Sequence, residues 1–288
     1  MMELRNVLVV GNPGKPELAK VLTGVIAELE RRGAKVFCAK AQIIRTSQGV
    51  ITGFDDGYRH RAWDLVLALG GDGTFLYTVR SFHEFRVPIL GVNLGRLGFL
   101  MEVDPSEIGD ALDGVISGRT GKLRRMVLDV SVVREARTVC RFSFLNDAVI
   151  SKGALSRMVE MEIRLDREEL ACYRADGLIV STPTGSTAYN LAAGGPIMTP
   201  DIDAMAITPI CPHTLGVRPI VMPASRKLSI RIVGGEENTA LTVDGQENFT
   251  LCKGDVIEFP GSESWVDVYD YGEGRFFSVL REKLGWNV

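Results

Sequence analysis

Leu65-Val66-Leu67-Ala68-Leu69-Gly70-Gly71-Asp72-Gly73-Thr74 runs five apolar residues straight into a glycine turn. A short apolar run closed by glycines is the pattern of a buried parallel strand that ends in a tight loop. Behind it, Phe75 to Phe82 carries apolar residues at helical spacing, and Thr74 stands where an N-cap hydroxyl would. Strand, glycine loop and helix start, in that order, set backbone N–H groups where they can cradle phosphate, and the helix dipole favours the anion. Asp72 is out of place in a loop built only for anions. It is useful there if a metal ion stands between it and the phosphate, or if it faces a hydroxyl that attacks phosphorus. The plain alternative is a tight turn with a solvated Asp. Phosphoryl transfer is the chemistry that uses the carboxylate.

Working outward, Asn6 to Val10 reads as a first buried strand and Gly11-Asn12-Pro13-Gly14 as a turn. Leu18, Val21, Leu22, Val25, Ile26 and Leu29 form a helical stripe within Glu17–Arg32, stopped by Gly33, and Ala34 to Cys38 returns as a strand. This is a βαβ unit, whose crossover is right-handed in nearly all proteins. Gln42 to Arg61 is polar and glycine-containing and reads as a long loop. Past the central motif, Pro88 to Asn93 is a strand that ends in a second glycine loop, Leu94 to Phe99. Asp104 caps, and Pro105 opens, a helix to about Ile116. The expectation is a doubly wound α/β domain over residues 1–120, with ligands at the carboxyl ends of its strands, where both glycine loops lie.

The composition shifts at Gly118-Arg119-Thr120-Gly121-Lys122. Met126–Arg134, Thr138–Ile150, Arg157–Asp166, Glu169–Thr182, Lys227–Val233, Ala240–Val243, Asn248–Cys252, Val256–Phe259 and Trp265–Tyr269 read as strands punctuated by Gly, Asn and Asp turns. Residues 121–274 are therefore expected to form an all-β, sandwich-like C-terminal domain, α+β overall. Arg275 to Leu284 has helical character, and residues 275–288 are expected to pack back on the first domain.

The chain of 288 residues is 45% apolar and carries a formal charge of −3 without a basic block, which argues against nucleic acid as a partner. No apolar run approaches the ~20 residues of a membrane span. The beginning, Met1 to Asn6, lacks a signal-peptide layout. Five scattered cysteines form no Cys-x-x-Cys pair, which fits a reducing cytoplasm and argues against a disulfide scaffold or a zinc site. His213 reads as structural rather than catalytic, Trp63, Trp265 and Trp286 as packing residues, and Cys211 as a buried small residue.

Two stretches of the β-rich half are unlike ordinary strand. Asn146-Asp147 interrupts an apolar run. It reads either as a bulge or as an amide and a carboxylate offered to a polar ligand such as an adenine edge or a ribose diol. From Asp176 to Ile197, a strand runs into hydroxyls and glycines (Ser181, Thr182, Thr184, Gly185, Ser186, Thr187) and then opens a short helix. So many hydroxyls exceed what a connecting turn needs.

With these residues in place, the chain resembles the NAD kinase family. The resemblance rests on Gly70–Thr74, Asn146-Asp147, Asp176–Pro196, Thr208–Leu215 and Val243-Asp244-Gly245-Gln246, in order along most of the chain. The glycine motif is shared with lipid kinases and phosphofructokinases, whereas the Asp176–Pro196 stretch is specific. The resemblance implies transfer of a terminal phosphate from ATP or polyphosphate to the adenosine 2′-hydroxyl of NAD, with a divalent cation, most simply Mg²⁺, bridging the donor phosphates. It implies Asp72 as the base or hydroxyl-orienting group, and Gly70, Gly71, Gly73 and Thr74 as the phosphate-binding loop, Gly73 also facing NAD. Asn146 and Asp147 would hold the adenosine, and Thr184, Thr187, Ala188, Tyr189 and Gly245 would line the dinucleotide site. Phe99 would pack near the dinucleotide, and Asp176 near the nicotinamide end, in this family often across a subunit interface. Many members carry Glu where this chain has Asp147, one methylene shorter, and some carry Asn at the position of Thr74. No Walker-type loop is present and no metal ligand is read from the sequence. A cytoplasmic homodimer or homotetramer is implied. The competing readings are a lipid or sugar-phosphate kinase sharing the loop, and a non-catalytic dinucleotide-binding regulator.

Overall fold

The computed structural model describes residues 3–12, 14–38, 44–46, 49–51, 61–95, 98–153, 157–235, 239–262, 264–272 and 276–286. The chain begins with β1 (Asn6–Gly11), α1 (Leu18–Arg31), β2 (Lys35–Cys38), β3 (Ile44–Thr46), β4 (Gly49–Ile51), β5 (Leu65–Gly70), α2 (Asp72–Phe82), β6 (Ile89–Asn93) and α3 (Ile108–Ser117). A strand-rich run follows: β7 (Gly121–Arg134), β8 (Arg137–Phe144), β9 (Asp147–Ser151), β10 (Val159–Leu165), β11 (Glu168–Ala175) and β12 (Gly177–Ser181). After the short helix α4 (Tyr189–Ala192) come β13 (Ala204–Ile210), β14 (Ile220–Pro223), β15 (Leu228–Gly234), β16 (Thr239–Val243), β17 (Glu247–Leu251) and β18 (Val256–Phe259). The chain closes with β19 (Ser264–Asp270) and α5 (Phe276–Leu284). Two compact units result, Met1–Arg124 with Val266–Val288, and Arg125–Trp265.

The first unit is a parallel sheet ordered β2-β1-β5-β6-β19. Its central strands are buried throughout, which is why Leu65–Leu69 shows no polar alternation. Val7, Val9, Leu65, Leu67 and Leu69 share one core with Leu22, Val25 and Leu29 of α1 and Leu112 and Val115 of α3. By the two-residue period, Leu8, Val10, Val66 and Ala68 point to the opposite face. The helix after β5 starts earlier than its sequence suggests: Gly71, not Thr74, is the N-cap, and Asp72 is the first helical residue. The cap is a glycine with no side-chain hydrogen bond, so it lacks the hydroxyl or carboxylate that marks most N-caps in a sequence. Asp104 does cap, in a full capping box with Glu107. Part of the expected loop Gln42–Arg61 is the antiparallel pair β3–β4; residues 42–43, 47–48 and 52–60 lie outside the described residues.

The second unit is a two-sheet stack. One sheet runs β11-β10-β15-β18-β7 with β8 on β7, and the other β14-β13-β12-β9-β16-β17. Alternate residues of both fill one core: Met126, Leu128, Val130 and Val132 of β7, Met161 and Ile163 of β10, Ala148 and Ile150 of β9, and Leu178 and Val180 of β12. The N-terminal α/β, C-terminal β-rich class expected from the sequence is therefore observed. Two expected strands are each broken in two, at Leu145-Asn146 and at Asp176, and β13 and β14 are additional. Trp63 is buried as expected, whereas Cys211 and Trp286 are exposed.

Candidate functional site

In the first unit, β1 is followed by β2 on one side, and the chain then returns to place β5 on the other. The strand order thus reverses between β1 and β5, and open parallel sheets offer their ligand crevice outside the carboxyl ends at such a point. The loops after β1 and β5 leave from there. They are tied together by the Asn12 N–H, which donates to Leu69 O at 3.2 Å, and the loop after β6 joins through Leu94 N–H to Gly70 O at 2.6 Å. Asp72 opens α2 at this rim, half-buried, with Gly73 exposed beside it.

The Asp72 carboxylate is held on both oxygens. Oδ2 accepts the Phe99 N–H at 3.1 Å and Oδ1 the Leu100 N–H at 3.3 Å. Gly98 permits this approach, because a Cβ there would run into the carboxylate itself. Each oxygen keeps a second lone pair for a ligand hydroxyl. Phe99 is fixed in turn: its ring lies 6.5 Å from that of Phe276 on α5, and Lys283 Nζ sits 5.2 Å from its centre. Asp72, Phe99, Gly70, Gly71, Gly73 and Thr74 are thus gathered at one rim. Arg96 and Leu97 of the second glycine loop lie outside the described residues.

In the second unit, Ala148 and Ile150 face the core, so Asp147 projects from the other face of its sheet. That face is covered by the segment Pro183–Met198, a 3-10 turn (Thr184–Thr187) running into α4. Asn190 fastens the segment: its Nδ2 donates to Ser186 O (3.2 Å) and Pro196 O (3.0 Å), and its Oδ1 accepts from Thr208 Oγ1 at 2.6 Å. Ser186 Oγ donates to Met198 O at 3.1 Å and accepts the Met198 N–H at 2.9 Å. The Asn146 carbonyl accepts the Thr182 N–H at 2.9 Å, and Thr182 Oγ1 bonds Leu145 O. Gly185 lies flush on the same break, since a Cβ there would collide with the Asn146 backbone.

The break is held from the far side by Asp244. Its carboxylate accepts the N–H groups of Leu145 (3.2 Å), Asn146 (2.8 Å) and Asp147 (3.3 Å). Asp147 is only 5% exposed, and burial, reinforced by the charge of Asp244, pushes its carboxyl up to about 7. Thr184 Oγ1 is buried without a hydrogen-bond partner among the described residues, an arrangement that costs roughly 1–3 kcal/mol until something supplies one. Asn146, Asp147, Thr184, Thr187 and Gly245 therefore belong to one neighbourhood or its connecting turns, with Ala188 and the exposed Tyr189 following on α4. Asp176 is apart from them. It precedes β12 at the end opposite Ser181 and pairs with Lys152 at 2.8 Å.

Sequence reasoning placed Asp244, Gly98, Gly185 and Asn190 inside its motifs but gave none of them a role. Asp244-Gly245 does carry a turn signal, but not the partner it serves about a hundred residues upstream. Among the described residues no three His, Cys, Asp or Glu side chains gather as a metal group, and no helix is long and apolar enough to cross a membrane.

Comparison with known proteins bears on both halves. Residues 7–120 match the family model for the ATP-NAD kinase N-terminal domain and residues 145–270 that for the ATP-NAD kinase C-terminal domain. An NAD kinase of Acidobacterium capsulatum is 42% identical over 283 residues, 98% of this chain and 99% of the relative. An NAD kinase of Syntrophotalea carbinolica is 40% identical over 273 residues, 94% of this chain and 95% of the relative. Among solved structures, yeast NADH kinase complexed with NADH matches with a TM-score of 0.89 at 28% identity, over 100% of this chain and 89% of that one. An Archaeoglobus fulgidus NAD kinase in complex with ATP matches with a TM-score of 0.72 at 24% identity, over 98% of this chain and 100% of that one; at that identity the likeness is one of fold.

Proposed function

The chain belongs to the NAD kinase family, and on that premise we propose that it transfers the terminal phosphate of ATP or polyphosphate to the adenosine 2′-hydroxyl of NAD, giving NADP. The observation that carries this reading is the seat of Asp72: a carboxylate fixed through both oxygens at the carboxyl ends of the strands, with lone pairs left for a hydroxyl.

Phosphoryl transfer passes through a loose transition state, so catalysis is mostly positioning and electrostatic stabilisation. The 2′-oxygen forms its bond to phosphorus as the bond to the donor's bridging oxygen breaks. Asp72 aligns the hydroxyl for in-line attack and takes its proton late. Gly70, Gly71, Gly73 and Thr74 present the start of α2 to the donor phosphates. In the second unit, Asn146 reads the adenine edge, the Asp147 carboxylate accepts ribose hydroxyls, and Thr184 gains the partner it lacks. Thr187, Ala188, Tyr189 and Gly245 complete the dinucleotide surface, Phe99 packs near it, and Asp176 serves the nicotinamide end. The NADH held by the yeast relative supports a dinucleotide ligand, and the family models' description supports ATP as donor. A divalent cation would be held chiefly by the donor's phosphates and would offset their charge. A cytoplasmic homodimer or homotetramer belongs to the same reading.

The test is NADP formation from NAD with Mg²⁺ and either ATP or polyphosphate, read with an NADP-specific dehydrogenase. Asp72→Asn should lose turnover by a factor on the order of 10²–10⁴ with a smaller change in NAD affinity. Near-normal turnover in that variant removes the assignment of Asp72. No NADP from the wild type with either donor, while NAD still binds, points to the regulator or to another acceptor.

A further inference from the structure

We infer that Asp244 is a positioning residue for nucleotide binding: its carboxylate sets the break between β8 and β9 from which Asn146 and Asp147 are presented. The inference rests on the adenosine-binding reading of that pair. β8 ends its pairing with β7 at Phe144, and β9 begins at Asp147, so the intervening N–H groups have left one ladder and not yet joined the next. Three consecutive backbone N–H groups converging on one point form a concavity suited to an anion. Here the chain supplies its own anion. Asp244 Oδ1 takes Asn146 (2.8 Å) and Asp147 (3.3 Å), and Oδ2 takes Leu145 (3.2 Å). The contact is reciprocal, since the Asp244 N–H donates to Asp147 O at 2.9 Å.

The backbone at Asp244 is left-handed, φ +49°, and Gly245 follows at φ +64°. The turn that closes β16–β17 is thereby bent so that its first side chain points at the break. The bond to Asn146, at 2.8 Å, has the length of a charge-assisted one, and with the two longer bonds beside it the carboxylate ties three successive N–H groups to one point. The same carboxylate adds to burial in disfavouring the charge of Asp147. The neighbours of Asp147 on the flanking strands are Ser181 on β12, which is uncharged, and Asp244 at the end of β16, which is charged. Asp244 thus acts on the ligand through another residue in two ways: it aims the Asp147 side chain, and it makes that carboxylate easier to protonate.

Asp244→Asn separates these from a role in folding alone. Asparagine keeps the shape and tolerates positive φ, but loses the charge and turns one acceptor into a donor facing an N–H. Steady-state kinetics across mildly acidic to mildly alkaline pH should show KM for NAD rising on the order of tenfold, the size of losing one hydrogen bond to a charged group, with kcat and the donor KM little changed. The acidic limb of kcat/KM should move to lower pH, because Asp147 loses its like-charged neighbour. In the double variant Asp147→Asn/Asp244→Asn, the Asp244 effect on that limb should vanish. An unchanged KM for NAD in folded Asp244→Asn, a loss confined to kcat, or an unmoved acidic limb would each overturn the inference. So would a variant that thermal melting shows to be unfolded, which would assign Asp244 to stability. Calorimetric titration with NAD keeps the two readings apart. If wild type makes no NADP yet binds NAD, and Asp244→Asn binds it about tenfold more weakly, the positioning role stands and the kinase reading falls.

Discussion

Asp147 carries its carboxyl at about 7 where an ordinary aspartate has 3.8, because burial and the neighbouring Asp244 both disfavour the charge. The sign of its effect on stability follows. Between those two pH values the folded chain holds a proton that the unfolded chain has released, so folding becomes less favourable as pH rises through the window. The contribution is fully present in acid and is lost above pH 7. Replacing the group by a neutral amide should therefore stabilise the ligand-free protein above pH 7 by up to about 4 kcal/mol, with little difference from wild type near pH 4. Urea unfolding of Asp147→Asn and wild type at the two ends of the range checks this; equal stability at alkaline pH would show that Asp147 is solvated. NAD affinity should move the other way, since an amide is a poorer acceptor for a ribose diol than a carboxylate. The residue best placed to bind is thus one that the fold holds at a cost, as functional sites often do.

At the scale of elements, two glycines separate placement from stability. At Gly98 an added methyl meets the end of the Asp72 side chain, which can swing aside; at Gly185 it meets the backbone of Asn146, which cannot. Gly98→Ala should therefore cost activity, on the order of tenfold or more in kcat, with a melting temperature near wild type. Gly185→Ala should lower stability by roughly 1–3 kcal/mol as the Pro183–Met198 segment lifts from the sheet. Melting curves set beside turnover numbers would distinguish them, and a loss of stability in Gly98→Ala would contradict the argument. Neither contact could be read from sequence, where both glycines look like turn formers. What was legible were the patterns set by local burial: the unbroken apolar run of β5, the stripe of α1, the alternation in β7 and β10. What was not legible depends on partners far along the chain. β13 is buried on both faces and so shows no alternation, and its Pro209 argues against a central strand. It is accommodated where β14 has already stopped pairing, at Ile207. The site was legible as residue types in order; its convergence on Asp244 and on the Phe99 N–H needed the fold.

At the scale of the whole molecule, β14 forms one edge of the six-stranded sheet with no further strand beside it among the described residues, and Ile220 and Val221 are 41% and 46% exposed and Leu215 before it 89% exposed. An apolar sheet edge invites pairing with another chain, in keeping with the proposed homo-oligomer. Val221→Lys should shift the sedimentation profile toward smaller species while leaving the melting transition within about 0.5 kcal/mol. A wild type that sediments as a monomer would end the oligomer proposal. The division of the chain has a different consequence. The second unit is one unbroken stretch, whereas the first is assembled from Met1–Arg124 and Val266–Val288. Its sheet lacks β19, and Phe99 lacks Phe276 and Lys283, until the stretch from Val266 onward has been translated. A ribosome therefore releases a finished β-rich unit before the α/β unit that was begun first can close. Phe99, whose N–H holds Asp72, thus gains its ring neighbours only after the whole β-rich unit has left the ribosome.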